Sequence, residues 1–351
     1  MANEQEFDNI LELKHIKKYF EPHKGFIESI SAKHVHPIKA VDDVSFSLRR
    51  GEILGLIGES GSGKTTIGKL VMKLLKPTDG TIIFNGEDVT NASKKRERQY
   101  RREVQMIFQD PYASMNPHFK IRDVLEEPLL IHKIPGTMAE HNEKIVEALK
   151  AVKVTPPEEF MARYPHMLSG GQKQRVATAR TLILQPDIIV ADEPVSMIDL
   201  STRAEILHMM RDVQEKMGLT YLYITHDLST ARYFTDRIAV MYLGRIVELG
   251  NADDIVDRPM HPYTRALIEA VPEPRSGRLH VIKELPISGE IPSPANIPSG
   301  CRFHTRCPYA NAECANEPEP ILTDVGNGHF HACRRADEIH DQIMQTSYAE
   351  V

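Results

Sequence analysis

Gly58-Glu59-Ser60-Gly61-Ser62-Gly63-Lys64-Thr65 decides how this chain folds. It fits G-x-x-x-x-G-K-[ST]: the glycines let backbone wrap closely round phosphates, Lys64 brings a point charge to the terminal phosphates, and the Thr65 hydroxyl can ligate Mg2+. The apolar run Ile53-Leu54-Gly55-Leu56-Ile57 feeds directly into it, and residues 67–75 carry apolar side chains at helical spacing. Strand, loop and helix therefore follow in the order the motif requires. A second glycine segment, Leu168-Ser169-Gly170-Gly171-Gln172, precedes a helix-like run over 173–184. Each segment offers unpaired N–H groups and the positive end of a helix dipole to an anion. One nucleotide needs only one such cradle, so the second asks for its own explanation.

Outward from the loop, apolar–polar alternation over 11–16 and 41–48 predicts half-buried strands, and further strands are predicted at 81–84, 104–108, 188–191, 221–224, 238–241 and 246–249. Residues 21–37, rich in Gly, His and Pro, read as a loop. The clearest helices are 140–152 and 173–184, and a helix-like run over 203–217 sits between two of the strands. Strands alternating with helices predict an α/β core with a largely parallel sheet. A helical subdomain over about 110–185 is inserted into it. After 257 come Pro259, Pro262, Pro272, Pro274, Pro286, Pro292, Pro294 and Pro298, which predict a separate, loop-rich appendage. The expected domains are thus 1–257 and 258–351.

The 351 residues are 41% hydrophobic and 26% charged, ordinary for a globular protein. Forty-three basic against 49 acidic residues give net −6, which speaks against a nucleic-acid partner. The basic run Lys94-Lys95-Arg96-Glu97-Arg98 reads as a solvated helical face of mixed charge. No apolar stretch approaches the roughly 18 residues of a membrane span, and the acidic N-terminus lacks a signal-peptide core. The chain is expected to be cytoplasmic. All four cysteines, Cys301, Cys307, Cys314 and Cys333, fall near the end with spacing C-x5-C-x6-C-x18-C. Such a cluster reads first as a metal site, and four thiolates suit either tetrahedral zinc or an iron–sulfur cluster, with free thiols as the remaining reading. His304, His329 and His331 are candidate substitutes for a thiolate.

Ile188-Ile189-Val190-Ala191-Asp192-Glu193 is an apolar strand ending in two carboxylates, delivered to the sheet edge where ligands bind. Asp192 is placed to hold Mg2+ and Glu193 to polarise the attacking water. The order of phosphate loop, Gln109, Leu168-Ser169-Gly170-Gly171-Gln172, Asp192-Glu193, Asp199 and His226 resembles an ATP-binding-cassette (ABC) ATPase over about residues 10–255. The resemblance implies ATP contacts from Gly58, Ser60, Gly61, Ser62, Gly63, Lys64, Thr65 and Thr66, adenine stacking on Phe20 in preference to Tyr19, and Mg2+ held by Thr65, Gln109 and Asp192. It implies that Gln109 couples to a membrane partner and His226 contacts the γ-phosphate. Ser169, Gly170, Gly171 and Gln172 would complete the ATP site of an opposing subunit, with Asp199 at the dimer seam. Ser196-Met197-Ile198-Asp199 departs mildly from the Ala-Leu that usually precedes that Asp.

The phrase Val104-Gln105-Met106-Ile107-Phe108-Gln109-Asp110-Pro111-Tyr112-Ala113-Ser114-Met115-Asn116-Pro117, with His261-Pro262-Tyr263 and Gly300-Cys301-Arg302-Phe303-His304-Thr305-Arg306-Cys307-Pro308, resembles the oligopeptide/dipeptide importer ATPases, particularly the second of their two ATPase subunits. That resemblance implies a sister ATPase, two permease subunits, an extracytoplasmic solute-binding protein and a place at the cytoplasmic face of the membrane. It also favours [4Fe–4S] over zinc at the cysteines. The cargo, whether peptide, oligosaccharide or nickel, stays open, and the rival reading is a soluble ABC ATPase acting on nucleic acid or translation.

Overall fold

The computed structural model describes residues 8–21, 37–111, 115–270, 287 and 289–340. Except for its end residues, the loop expected over 21–37 lies outside that set, as do Tyr112, Ala113, Ser114, Pro272, Pro274 and Pro286.

The N-terminal alternation extends further than predicted, into β1 (Asn9–Phe20) and β2 (Ile38–Arg49), which pair antiparallel. The all-apolar run is β3 (Ile53–Ile57), buried at every position, and the phosphate loop opens α1 (Lys64–Val71). Then come β4 (Asp79–Phe84), β5 (Glu87–Asp88), α2 (Lys94–Glu103) and β6 (Val104–Ile107). The predicted mixed-charge face is α2, where Arg96 pairs with Glu87 and Glu103, and Arg101 with Glu97. Four helices follow: α3 (Ile121–Ile131), α4 (Met138–Ala151), α5 (Pro157–Ala162) and α6 (Gly170–Leu182). A capping box at Thr137 and Glu140 starts α4.

Next come β7 (Ile188–Asp192), α7 (Leu200–Met217), β8 (Thr220–Thr225), α8 (Leu228–Phe234), β9 (Arg237–Tyr242) and β10 (Arg245–Asn251). The C-terminal part adds α9 (Ala252–Asp257), α10 (Pro262–Glu269), α11 (Ala312–Asn316), β11 (Thr323–Asp324) and β12 (Phe330–His331).

One sheet is four-stranded, β2-β1-β4-β5; the other is eight-stranded, β11-β12-β10-β9-β3-β8-β7-β6, and from β9 to β6 its neighbours are parallel. The parallel strands are covered on both faces, which is why they read as unbroken apolar runs. One core lies between the sheets and α1, around Leu54, Leu56, Ile67 and Ile224, and another under the helices, around Ile145, Leu149, Val176 and Ile189. Each large apolar side chain so buried contributes about 1.5–3 kcal/mol.

The appendage proves not to be separate. β12 pairs antiparallel with β10, Glu248 facing His331. The Glu248 carboxylate, wholly buried, accepts hydrogen bonds from the backbone N–H of Met260 at 2.7 Å and of His261 at 3.0 Å, and lies 2.8 Å from Nε2 of His329. Two-residue strands have no periodicity to read, so nothing in the sequence predicts this pairing.

Candidate nucleotide site

The phosphate loop leaves the C-terminal end of β3, and three of its glycines have left-handed or related positive φ: Gly58 at 155°, Gly61 at 80° and Gly63 at 110°. At Gly58 a Cβ would stand 2.2 Å from the Met241 carbonyl oxygen, so no other residue fits. Lys64 curls into the loop, its Nζ donating to the carbonyls of Gly58 at 2.7 Å and Glu59 at 2.9 Å, with the Ser62 hydroxyl 3.4 Å away. Burial lowers its pKa, while the carboxylates of Glu193, Asp192 and Glu59 pull it back up. Ser60, Gly61 and Thr65 stay exposed at the mouth of the cradle, with Thr66 half-buried.

Parallel β7 and β8 bring the carboxylates and the histidine to the same edge. Asp192, the last residue of β7, accepts from the Thr65 hydroxyl at 3.3 Å, and burial raises its pKa while that bond lowers it. A buried carboxylate beside a threonine hydroxyl is an oxygen donor set of the kind Mg2+ takes. Glu193 has left-handed backbone, φ 47°, strained for a non-glycine residue, and its N–H donates to the Ile224 carbonyl at 2.9 Å. That turn aims its carboxylate between Gln109, whose Nε2 donates at 2.8 Å, and Nδ1 of His226 at 2.9 Å. Gln109, Glu193 and His226 thus form one hydrogen-bonded group beside Lys64 and Thr65.

Phe20 ends β1 and is 37% exposed, with Lys18 Nζ 5.3 Å from its ring centre. The neighbouring Tyr19 hydroxyl is engaged with Asp42, and burial first, then that bond, pushes its pKa up to about 12. Of the two aromatics, Phe20 is the more exposed.

The second cradle is brought to α7. Ser169 caps α6, accepting from the Gln172 N–H at 3.3 Å, while the Gln172 side chain accepts from the Ser169 N–H at 3.0 Å. Gly171 is a packing requirement: its Cβ would meet Thr202 Cγ2 at 2.6 Å, whereas Gly170 faces open space. Asp199 caps α7, and bonds from Ser201 and Thr202 hold its carboxyl down at about 2. Around it Met197 and Leu200 are 61% and 80% exposed.

Cys301, Cys307, Cys314 and Cys333 all line one small cavity of about 20 Å3, together with His304 and Arg335. Burial raises the pKa of three of the thiols, Cys301, Cys307 (to about 11) and Cys333 (to about 12), and the neighbouring cysteines raise it further. Among the described residues no three His, Cys, Asp or Glu side chains are gathered as a metal-ion site. The donors thus converge as thiols in a shared pocket. His329 and His331 belong elsewhere, His329 being paired with Glu248 and His331 accepting from the Cys333 N–H at 3.2 Å.

The sequence does not predict that the Glu59 N–H donates to the Tyr263 hydroxyl at 2.8 Å, so that the C-terminal part touches the phosphate loop. The tripeptide His261-Pro262-Tyr263 was visible, but a partner 204 residues away was not.

A phosphate loop between a parallel strand and a helix, with carboxylates and a histidine at the neighbouring strand ends, defines a P-loop nucleotide-binding cassette. Family models match twice: "ABC transporter" over residues 41–196 and "Oligopeptide/dipeptide transporter, C-terminal region" over 247–314. Similar curated proteins include the oligopeptide transport ATP-binding protein AppF of Bacillus subtilis, 46% identical over 93% of this chain and 97% of its own, and the dipeptide transport ATP-binding protein DppF of Haemophilus influenzae, 42% identical over 96% and 100%. A solved dimeric ATP-binding cassette, MJ0796, in a post-hydrolysis state bound to ADP and Pi, aligns over 69% of this chain and 98% of its own, with TM-score 0.59 and 28% identity. The chain belongs to the ABC transporter family of ATP-binding proteins, in the branch with the oligopeptide/dipeptide C-terminal region. Among the described residues no helix is long and apolar enough to cross a membrane.

Proposed function

We propose that this chain is the ATP-hydrolysing subunit that powers peptide import, working at the cytoplasmic face of the membrane with a sister ATPase, two permease subunits and an extracytoplasmic solute-binding protein. The observation that carries the hydrolytic part is the Glu193 carboxylate, aimed by a left-handed turn between Gln109 and His226 at the mouth of the phosphate loop. The names of the relatives carry the peptide part.

In this reading residues 1–257 are the cassette, with a helical subdomain over about 110–185, and 258–351 are an extension fastened to β10. Phe20 stacks on adenine; the 58–66 segment and Lys64 hold the phosphates. Thr65, Gln109 and Asp192 would hold Mg2+, which would supply positive charge to offset the negative charge of the phosphates. Glu193 accepts a proton from the attacking water, and His226 and Gln109 orient it. Ser169, with the N–H groups of Gly170 and Gly171, caps the nucleotide of the partner subunit, Gln172 bracing the turn. The exposed Met197 and Leu200 beside Asp199 suit a dimer seam, and the dimeric MJ0796 structure supports that arrangement. The two glycine cradles are then two halves of a composite site.

What supports a [4Fe–4S] group at the cysteines is the donor chemistry alone: four thiols line one cavity, and thiolates are the ligands such a cluster takes. Cys301, Cys307, Cys314 and Cys333 would hold it as a structural staple, with zinc as the alternative.

Co-expression with the adjacent transport genes tests the function. Co-purification with a sister ATPase and two membrane proteins, with ATP hydrolysis stimulated by peptide-loaded binding protein in vesicles, is expected. Association with ribosomes or DNA instead would overturn it. Iron, sulfide and zinc analysis of anaerobically purified protein tests the staple: iron and sulfide in equal amounts support the cluster, zinc alone or no metal removes it.

A further inference from the structure

Arg306 lies 247 residues from Glu59 in sequence, yet its guanidinium grips the Glu59 carboxylate with both ends of the fork, Nη1 to Oε2 at 2.7 Å and Nη2 to Oε1 at 2.9 Å. This is not a loose surface ion pair. Arg306 is 6% exposed, and its guanidinium stands 5.8 Å from the centre of the Tyr242 ring and 5.9 Å from that of Phe303. Tyr242, Tyr263 and Phe303 pack on one another with ring centres 4.7–5.4 Å apart, so the cation rests on a rigid aromatic platform. The same platform contributes the Tyr263 hydroxyl that takes the Glu59 N–H. One residue of the phosphate loop is therefore held from outside by its backbone and by its side chain, and its N–H is committed to the Tyr263 hydroxyl.

Glu59 is an awkward residue for a phosphate cradle. Its charge reaches Lys64, and a nucleotide brings further negative charge to the same loop. A carboxylate left unpaired there would repel the ligand throughout binding and reaction. A partner turn supplies the compensation: residues 301–307 carry Arg306 to Glu59 and, from the other end, Arg302 to Asp42, the acceptor of the Tyr19 hydroxyl.

We infer that Arg306 and Tyr263, which lie in the C-terminal extension, are positioning residues of the phosphate loop, and that Arg306 sets nucleotide affinity by neutralising Glu59. The inference rests on the reading of 58–65 as an ATP site. It makes the extension part of the nucleotide site's supporting structure.

The test uses the purified full-length chain, a fluorescent ATP analogue and the steady-state kinetics of the assembled transporter. Wild type should bind the analogue and Lys64→Ala should not; a wild type that does not bind would overturn the ATP-site reading itself. Given binding, Arg306→Ala should weaken affinity and raise KM about tenfold with kcat little changed, because repulsion acts on ground and transition states alike. Glu59→Gln combined with Arg306→Ala should return affinity to within about threefold of wild type, since no charge then remains to neutralise. Tyr263→Phe should raise KM a few-fold. A purely packing role would leave the double variant as weak as Arg306→Ala. Unchanged affinity in Arg306→Ala, or no recovery in the double variant, would overturn the inference. Should Arg306→Ala not fold, Arg306→Gln takes its place with the same expected outcomes.

Discussion

Replacing Glu193 by Gln removes a charge and almost nothing else. The amide is isosteric, and Gln109 and His226, which hold the carboxylate at 2.8 and 2.9 Å, can each reorient to face its oxygen or its nitrogen. The ground-state cost is that two charge-assisted hydrogen bonds become neutral, about 1 kcal/mol each at a half-exposed site. The loop that holds phosphates is untouched, so ATP affinity should change by less than about threefold. The chemical step is different. A positioned general base is worth about 10²–10⁴ in rate, or about 2.7–5.4 kcal/mol at 1.36 kcal/mol per decade, and an amide cannot accept the proton. Phosphate release by the complete transporter at saturating Mg-ATP should therefore fall by at least about a hundredfold. The variant should also accumulate as an ATP-bound dimer, visible by size-exclusion chromatography. A kcat within about threefold of wild type would refute the role assigned to Glu193.

Two further outcomes are expected. Gly171→Ala forces a Cβ to within 2.6 Å of Thr202 and should cost about 1–3 kcal/mol in chemical denaturation, whereas Gly170→Ala meets open space and should cost less than about 0.5 kcal/mol. Burial lowers the pKa of His261 to about 4, opposed by the nearby Glu248 carboxylate, so the folded chain keeps it neutral where the unfolded chain binds a proton. That stability is present above the ordinary histidine pKa of about 6.5 and is lost as pH falls from there toward 4, by up to about 1.4 kcal/mol per pH unit. Urea midpoints that stay flat between pH 6.5 and 4 would contradict it.

Much of the site could be read from the sequence because its parts are local. The phosphate loop packs four constrained positions into eight residues, and Asp192-Glu193 ends an unmistakable apolar strand. Helix starts were displaced where a cap and not hydrophobicity decides them: α6 begins at Gly170 because Ser169 closes a capping box, three residues before the apolar pattern begins. What brings Gln109, Glu193 and His226 together is sheet order, with β8 beside β7, and no spacing along the chain encodes that neighbourhood. The left-handed backbone of Glu193 is equally silent in sequence, since any glutamate looks alike until its turn is seen. The extension was hardest to read. Its contacts depend on isolated pairs far apart in the chain, Glu248 with His329, Arg306 with Glu59 and Arg302 with Asp42, and on two-residue strands, and none of these produces a pattern long enough to count.

Those two-residue strands also bear on how this protein should be handled. Without β12, β10 would lose its outer neighbour at Glu248 and Leu249, both buried in the folded chain, and leave its outward N–H and C=O groups ready to pair with another molecule. Expression truncations that stop short of Phe330 would therefore uncover an adhesive border and favour insoluble material, even with every nucleotide contact in place. Boundaries for such trimming belong beyond Ile339, whose buried side chain closes the last described helical turn.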